Sequence, residues 1–254
     1  MAGPKQTRPP AEQESRIASE VASWYARGLF PMADAGAPAR GDIGLYDPDP
    51  RAIIPLTEAE GLHLPKRLMR TVRSGRFLVT SDESFERVVA ECAAPRTPKP
   101  ESESVSAETW IDATLEAIYG ILHRAGYAHS VEVWLPPPTS GHATAREALD
   151  AGVRFGPAEW RLVGGLFGVQ TGASFCAESM FSWPSRGGTD ASKVALVRLI
   201  LAMHGAGFAI LDTQFVNPHL RQFGCREISR ADFHALLAQA KVRAIRWPEG
   251  DAWL

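Results

Sequence analysis

A chain of 254 residues, 45% hydrophobic and 22% charged, is long enough to bury a sizeable core, and its ordinary globular composition excludes bulk disorder, collagen and coiled coil. Its formal charge of −2 argues against a protein that coats nucleic acid with its whole surface but leaves room for a local basic patch. Three scattered cysteines, Cys92, Cys176 and Cys225, suit reduced, buried thiols better than a disulfide framework or a zinc site. No apolar run approaches the roughly 18 residues that span a bilayer, and the polar, Pro-rich stretch Met1–Arg16 has no signal-peptide core, so the expectation is a soluble cytoplasmic protein.

Residues 1–10 read as a flexible tail. Ala11 to Arg27 reads as a helix, with Ile17, Val21 and Trp24 on one face and Gly28 ending it. Phe30 to Pro50 is rich in Pro, Gly, Asp and Ala and is expected to be loop. A short strand follows at Arg51–Leu56, then a basic helix at Leu64–Ser74 and a strand at Arg76–Thr80. Lys66, Arg67, Arg70, Arg73 and Arg76 fall within eleven residues with no acid among them. Asp82 or Ser84 is positioned to cap a helix running through Cys92.

The stretch 95–108, dominated by Pro, Ser and Glu, reads as a linker. It separates a small N-terminal α/β domain, 11–94, from a larger domain, 109–243, with a C-terminal tail at 244–254. The second domain opens on a helix carrying Ile111, Leu115, Ile118, Leu122 and Ala125 at helical spacing, with Thr109–Asp112 resembling a capping box. Ala128–Leu135 alternates as a strand, and Pro136 begins an insert, 136–160, with a short helix near Ala145–Ala151. This insert is expected to be a surface excursion between two antiparallel strands. Strands at Arg161–Val169 and Ala173–Met180, a helix at Ser192–His204, a strand at Phe208–Asp212 and a last helix from Ser229 or Arg230 to Ala240 complete the chain. The class is α+β, a mainly antiparallel sheet flanked by helices in the order of an acyltransferase (N-acetyltransferase-like) fold.

Eight segments in order then carry a resemblance. They are Tyr25-Ala-Arg-Gly-Leu-Phe-Pro31, Asp47-Pro-Asp-Pro-Arg51, Thr109-Trp-Ile111, Ala128-His-Ser-Val-Glu-Val-Trp134, Leu162-Val-Gly-Gly-Leu-Phe-Gly168, Phe175-Cys-Ala-Glu-Ser-Met-Phe181, Ala191-Ser-Lys193 and Leu211-Asp-Thr-Gln-Phe215. Together they resemble the leucyl/phenylalanyl-tRNA–protein transferase family. The resemblance implies a bacterial cytoplasmic aminoacyltransferase, monomeric, with no metal and no cofactor. It would move Leu or Phe, less well Met, from aminoacyl-tRNA to proteins beginning with Arg or Lys and mark them for N-end-rule degradation. This chain departs from the family in Leu45-Tyr46-Asp47, where tryptophans are usual, in a missing Gly-Gly-Asp segment, and in the length of the connection after Trp134.

Amine attack on an activated ester needs alignment and a place for a proton. Asp212 and Gln214, at i and i+2 on a strand, would face one cleft, and the resemblance puts the family's catalytic Asp and Gln there. The competing reading has Asp212 capping the next helix and Gln214 on the surface. Glu178, among apolar neighbours, either contacts substrate or forms a structural salt bridge; the resemblance favours the site. It also implies a donor side-chain pocket from Leu166, Leu196, Leu199, Met203 and Leu211, against ordinary core. Trp110, Tyr46 and Tyr119 match aromatics near the tRNA 3′ adenosine, where stacking suits an unpaired base. Lys66, Arg67, Arg70 and Arg73 would meet tRNA phosphates, against a merely solvated helix face. His129 reads as a hydrogen-bonded structural residue. Two rivals stay open: an acetyl-CoA-dependent N-acetyltransferase using Gly164–Gly168 and Gly172 as a pyrophosphate loop, and a tRNA- or peptide-binding module without catalysis.

Overall fold

The computed structural model describes residues 10–33, 43–94 and 110–253. The expected linker 95–108 and all of the tail 1–10 except Pro10 fall outside them. Helix α1 (Ala11–Tyr25) leads to a two-stranded antiparallel sheet, β1 (Phe30–Ala33) and β2 (Ile43–Tyr46). The Pro/Gly-rich composition had pointed to loop for this stretch. Phe30, Met32, Ile43 and Tyr46 supply the apolar contacts that pin the hairpin to the body.

The chain continues through β3 (Arg51–Ile54), α2 (Lys66–Arg73), β4 (Leu78–Ser81), α3 (Phe85–Ala93), α4 (Ala113–Arg124), β5 (Ala128–Leu135) and α5 (Ala145–Asp150). It ends with β6 (Arg161–Thr171), β7 (Ser174–Ser182), α6 (Ala191–Ala206), β8 (Ile210–Gln214), α7 (Pro218–Arg221), β9 (Arg226–Ile228) and α8 (Arg230–Ala240). Asp112 caps α4, accepting from the Thr114 and Leu115 amides, while Thr109 lies outside the described residues. Ser229 caps α8 through the Asp232 amide.

Seven strands form one sheet in the order β4-β5-β6-β7-β8-β3-β9. Every pair is antiparallel except β7–β8, which is parallel. The parallel pair follows from α6, a sixteen-residue crossover between them. Strands β3 and β4 come from the N-terminal side of 95–108, yet β3 lies between β8 and β9, and β4 pairs with β5. The two parts of the chain are therefore joined by backbone hydrogen bonds within one sheet.

Helices α2 and α6 cover one face over Leu68, Val72, Leu166, Leu196, Leu199 and Leu211. Helices α1, α3 and α4 cover the other over Val21, Val88, Leu115, Tyr119 and Phe167. All eight residues of β5 are buried, because helices lie on both faces; its alternation had suggested one buried face. Residues 244–253 pack as a strap. Trp247 stacks on His129 at 4.2 Å and donates to Ser81 Oγ, and Trp253 is buried. Among the described residues, no helix is long and apolar enough to cross a membrane.

Candidate active site

The site forms where the parallel pair separates. Strands β7 and β8 are in register from Ser174↔Ile210 to Cys176↔Asp212 and no further, while β7 runs on beside β6. On β6, Gly168 faces Ala177 and Phe167 faces Ser179, so Glu178 is an extra residue with no partner, a β-bulge. Gly168 makes room for it: a Cβ there would run into the Cys176 carbonyl and the Phe175 ring. Strand β8 ends on Gln214, which has φ +57, a left-handed conformation that a non-glycine residue adopts only when its surroundings hold it.

Three sets of contacts do the holding. The Asp212 carboxylate accepts two hydrogen bonds from Arg51, Nε to Oδ1 at 2.9 Å and Nη2 to Oδ2 at 2.6 Å. Its Oδ1 also accepts from the Gln214 backbone N–H at 2.9 Å. Arg51 Nη1 donates to the Gly28 carbonyl, and the guanidinium lies between the Phe30 and Phe233 rings, 4.9 and 4.5 Å from their centroids. Burial works against the Arg51 charge, but Asp212 outweighs it and the pKa moves upward. Cys176, whose thiol is pushed up by burial and by Asp212, donates Sγ–H to Asp212 Oδ2 at 3.2 Å.

The Gln214 side chain is oriented by chemistry. Its Nε2 donates to the Ala177 carbonyl at 3.1 Å and to Cys176 Sγ at 2.9 Å. A carbonyl only accepts, so the amide NH2 must point there and Oε1 is left for a ligand. Among the described residues, no cation forms an ion pair with Glu178. Its carboxylate accepts from Tyr25 OH at 2.8 Å and Tyr119 OH at 3.2 Å. Burial raises its pKa to about 7, with the two tyrosines offsetting part of the rise. Both tyrosines are themselves raised by burial and by Glu178.

A cavity of about 220 Å³ opens beside these groups, lined by Leu166, Glu178, Met180, Gln214, Asn217 and Leu220 among others. That is small beside the roughly 300–1,000 Å³ of sites for drug-sized ligands and suits one amino-acid side chain. Gln214, Glu178 and Leu166 meet as the sequence led us to expect. Asp212 does not line this cavity. Gln214 leaves the extended conformation with a positive φ, and its side chain and that of Asp212 both reach the Cys176 sulfur. Asp212 caps no helix either; Asn217 caps α7. Leu196, Leu199, Met203 and Leu211 are fully buried in the same hydrophobic cluster as Leu166, behind the cavity rather than in its wall.

Tyr119 is wholly buried, with its hydroxyl on Glu178 and its ring against Phe167, so it offers no face for stacking a base. Tyr46 and Trp110 are half-buried, and the Trp110 carbonyl accepts from the Ala33 amide of β1. Lys66, Arg67, Arg70 and Arg73 are all exposed on α2. Gly164, Gly165 and Gly168 lie inside β6, where a Cβ would meet Ala191, the Val131 carbonyl and the Cys176 carbonyl respectively. They permit close packing and form no strand-to-helix phosphate loop. Among the described residues no group of three or more His, Cys, Asp or Glu could hold a metal ion.

Arg51 and Tyr25 carried no role in the sequence reading. Arg51 was detectable in principle: a lone guanidinium opening the apolar run Ala-Ile-Ile needs a buried acid as partner. Tyr25 gave no comparable signal, since its partner lies 153 residues away.

A family model described as Leucyl/phenylalanyl-tRNA protein transferase matches residues 56–143 and 151–238. Curated proteins named Leucyl/phenylalanyl-tRNA--protein transferase match over most of their length. The one from Caulobacter vibrioides is 41% identical over 223 residues, 87% of this chain and 84% of the relative. The one from Maricaulis maris is 43% identical over 225 residues, 89% and 86% respectively. Among solved structures, FemX aligns with a TM-score of 0.40 and 13% identity, covering 84% of this chain and 63% of that one. With two-thirds of its residues matched by the model and relatives above 40% identity, the chain belongs to the leucyl/phenylalanyl-tRNA protein transferase family.

Proposed function

We propose that this protein transfers Leu or Phe, and less well Met, from aminoacyl-tRNA to the α-amine of proteins beginning with Arg or Lys. The observation that carries this reading is one small cavity shared by the Gln214 carbonyl oxygen, the cation-free carboxyl of Glu178 and the apolar side chains of Leu166, Met180 and Leu220. Apolar walls favour a Leu, Phe or Met side chain on the donor and exclude charge.

The acceptor arrives as an ammonium with a pKa of about 7.7–8.0. Glu178, near 7, is close enough in pKa to take one of its protons at neutral pH. The neutral amine then donates a hydrogen bond to Gln214 Oε1 and attacks the ester carbonyl carbon. The C–N bond forms, the bond to the ribose oxygen breaks, and that oxygen leaves with a proton as a hydroxyl. Asp212 does not take the proton; clamped by Arg51, it holds the Gln214 backbone. The ester already carries the activation, so positioning and one proton acceptor suffice.

Tyr46 and Trp110 are the aromatic candidates for the terminal adenosine, and Lys66, Arg67, Arg70 and Arg73 for the phosphates. The product would enter N-end-rule degradation in a bacterial cytoplasm. Labelled Leu-, Phe- and Met-tRNA mixed with peptides beginning with Arg, Lys, Asp or Glu test the reading directly. Transfer of Leu and Phe to the Arg and Lys peptides is expected. No transfer from any charged tRNA would refute it.

A further inference from the structure

The cap and body of α5 are residues 144–150, the stretch between the two segments that the family model matches. This addition is built into the fold. Thr144 and Glu147 form a reciprocal capping box. The next two amides reach across to the turn that ends α2: Ala145 N–H donates to the Arg76 carbonyl at 3.0 Å and Arg146 N–H to the Gly75 carbonyl at 2.9 Å. Gly75 has φ +73, and the Arg146 side chain lies over it, where a Cβ would stand 2.5 Å from Nε. On its other side α5 buries Ala145 and Ala148 in the core cluster of α3 and α4. The insert therefore ties the end of the basic helix to the body of the protein.

Charge points the same way. Lys66, Arg67, Arg70 and Arg73 are exposed with no ion pair among the described residues, and so is Arg146, just beyond the last turn of α2. We propose that α5 is an added part of the RNA-binding surface: it fixes the C-terminal turn of α2 and supplies Arg146 as a further cation for the phosphate backbone of the donor RNA. This rests on the reading of α2 as the phosphate-binding helix.

The test compares Arg146→Ala, Thr144→Ala and the fourfold alanine variant of Lys66, Arg67, Arg70 and Arg73. Aminoacyl-tRNA binding is measured across a salt series, and transfer is measured with 3′-O-phenylalanyl-adenosine, which has no phosphate. Arg146→Ala should weaken tRNA binding several-fold at low salt and lower the log–log salt slope by about one. Thr144→Ala, which frays α5, should weaken tRNA binding with Arg146 still present. Neither should change transfer from the adenosine donor. Unchanged affinity and slope in Arg146→Ala, with binding lost in the fourfold variant, would overturn the proposal and leave α2 as the binding helix. Unchanged binding in the fourfold variant would overturn the reading of α2 and the proposal with it. A matching loss with the adenosine donor would place the effect in the cavity and also overturn it.

Discussion

Two carboxyl groups sit on adjacent strands within one site, both buried, in opposite electrostatic settings. Asp212 is 2% exposed and receives a bidentate guanidinium and a backbone amide. Glu178 is 9% exposed and receives the phenolic hydroxyls of Tyr25 and Tyr119. Burial penalises either charge, and only a cation at contact distance repays the loss of water. So Asp212, held by Arg51 and the Gln214 amide, is suited to anchoring, while Glu178, raised by burial to about 7, is suited to receiving a proton. Residue type alone would assign the two carboxyls the same work; their partners divide it.

The largest expected effect is from Glu178→Gln, which keeps the shape but removes the proton acceptor. Turnover at pH 7 should fall by about 10²- to 10⁴-fold, and the rise in rate through pH 7 should flatten. If that rise survives in Glu178→Gln and vanishes in Asp212→Asn, the roles are reversed. Stability gives a second view of the same group. A folded pKa raised from 4.5 to about 7 means the native state holds a proton that the unfolded chain releases, so stability declines as pH rises from about 4.5 to about 7. The decline corresponds to roughly 3 kcal/mol, and denaturant titrations of Glu178→Gln at pH 5 and 8 should show most of it gone.

Arg51→Met should cost about 3–5 kcal/mol, because Asp212 would be left buried and unpaired. Adding Asp212→Leu to that variant should restore much of the stability without restoring activity. A loss under about 1 kcal/mol in the single variant would mean the clamp is not what holds the strand end. Gln214→Ala removes an acceptor for the incoming amine. A fall in turnover of roughly 10- to 100-fold is expected, the scale of one hydrogen bond from an amine that gains positive charge as it attacks, with aminoacyl-tRNA binding unchanged; a matching loss of tRNA binding would argue for a structural role. Tyr25→Phe is the mildest change. Its hydroxyl lowers the Glu178 pKa, so its loss should shift the rate profile to higher pH by less than a unit, and a shift to lower pH would contradict the hydrogen bond's sign.

Much of this was legible in the sequence because it was local. Periodicity marked α1, α4, α6 and β5, and the order of motifs marked Asp212, Gln214 and Glu178. What stayed hidden depends on distant partners or on backbone phase. The β1–β2 hairpin is held by tertiary contacts of Phe30 and Tyr46 that composition does not encode. The partners of Arg51 and Tyr25 lie 161 and 153 residues downstream. Spacing put Asp212 and Gln214 on one side; both reach the Cys176 sulfur, and Gln214 is the one that lines the cavity. Tyr119 matched an aromatic position, but burial decides whether a ring can stack.

The bulge at Glu178 has a consequence for how the strand is read along its length. Before it, Phe175 and Ala177 face the α6 side while Cys176 faces the α4 side; after it, even-numbered Met180 faces α6 and odd-numbered Phe181 faces α4. One surplus residue has inverted the parity of the strand. Deleting Glu178 would therefore do something no substitution there can. It would reverse the facing of every side chain from Ser179 to Ser182, turning Met180 out of the cavity wall and Phe181 out of the core. At this position the number of residues matters to the fold more than their identity, and the identity is left free for chemistry.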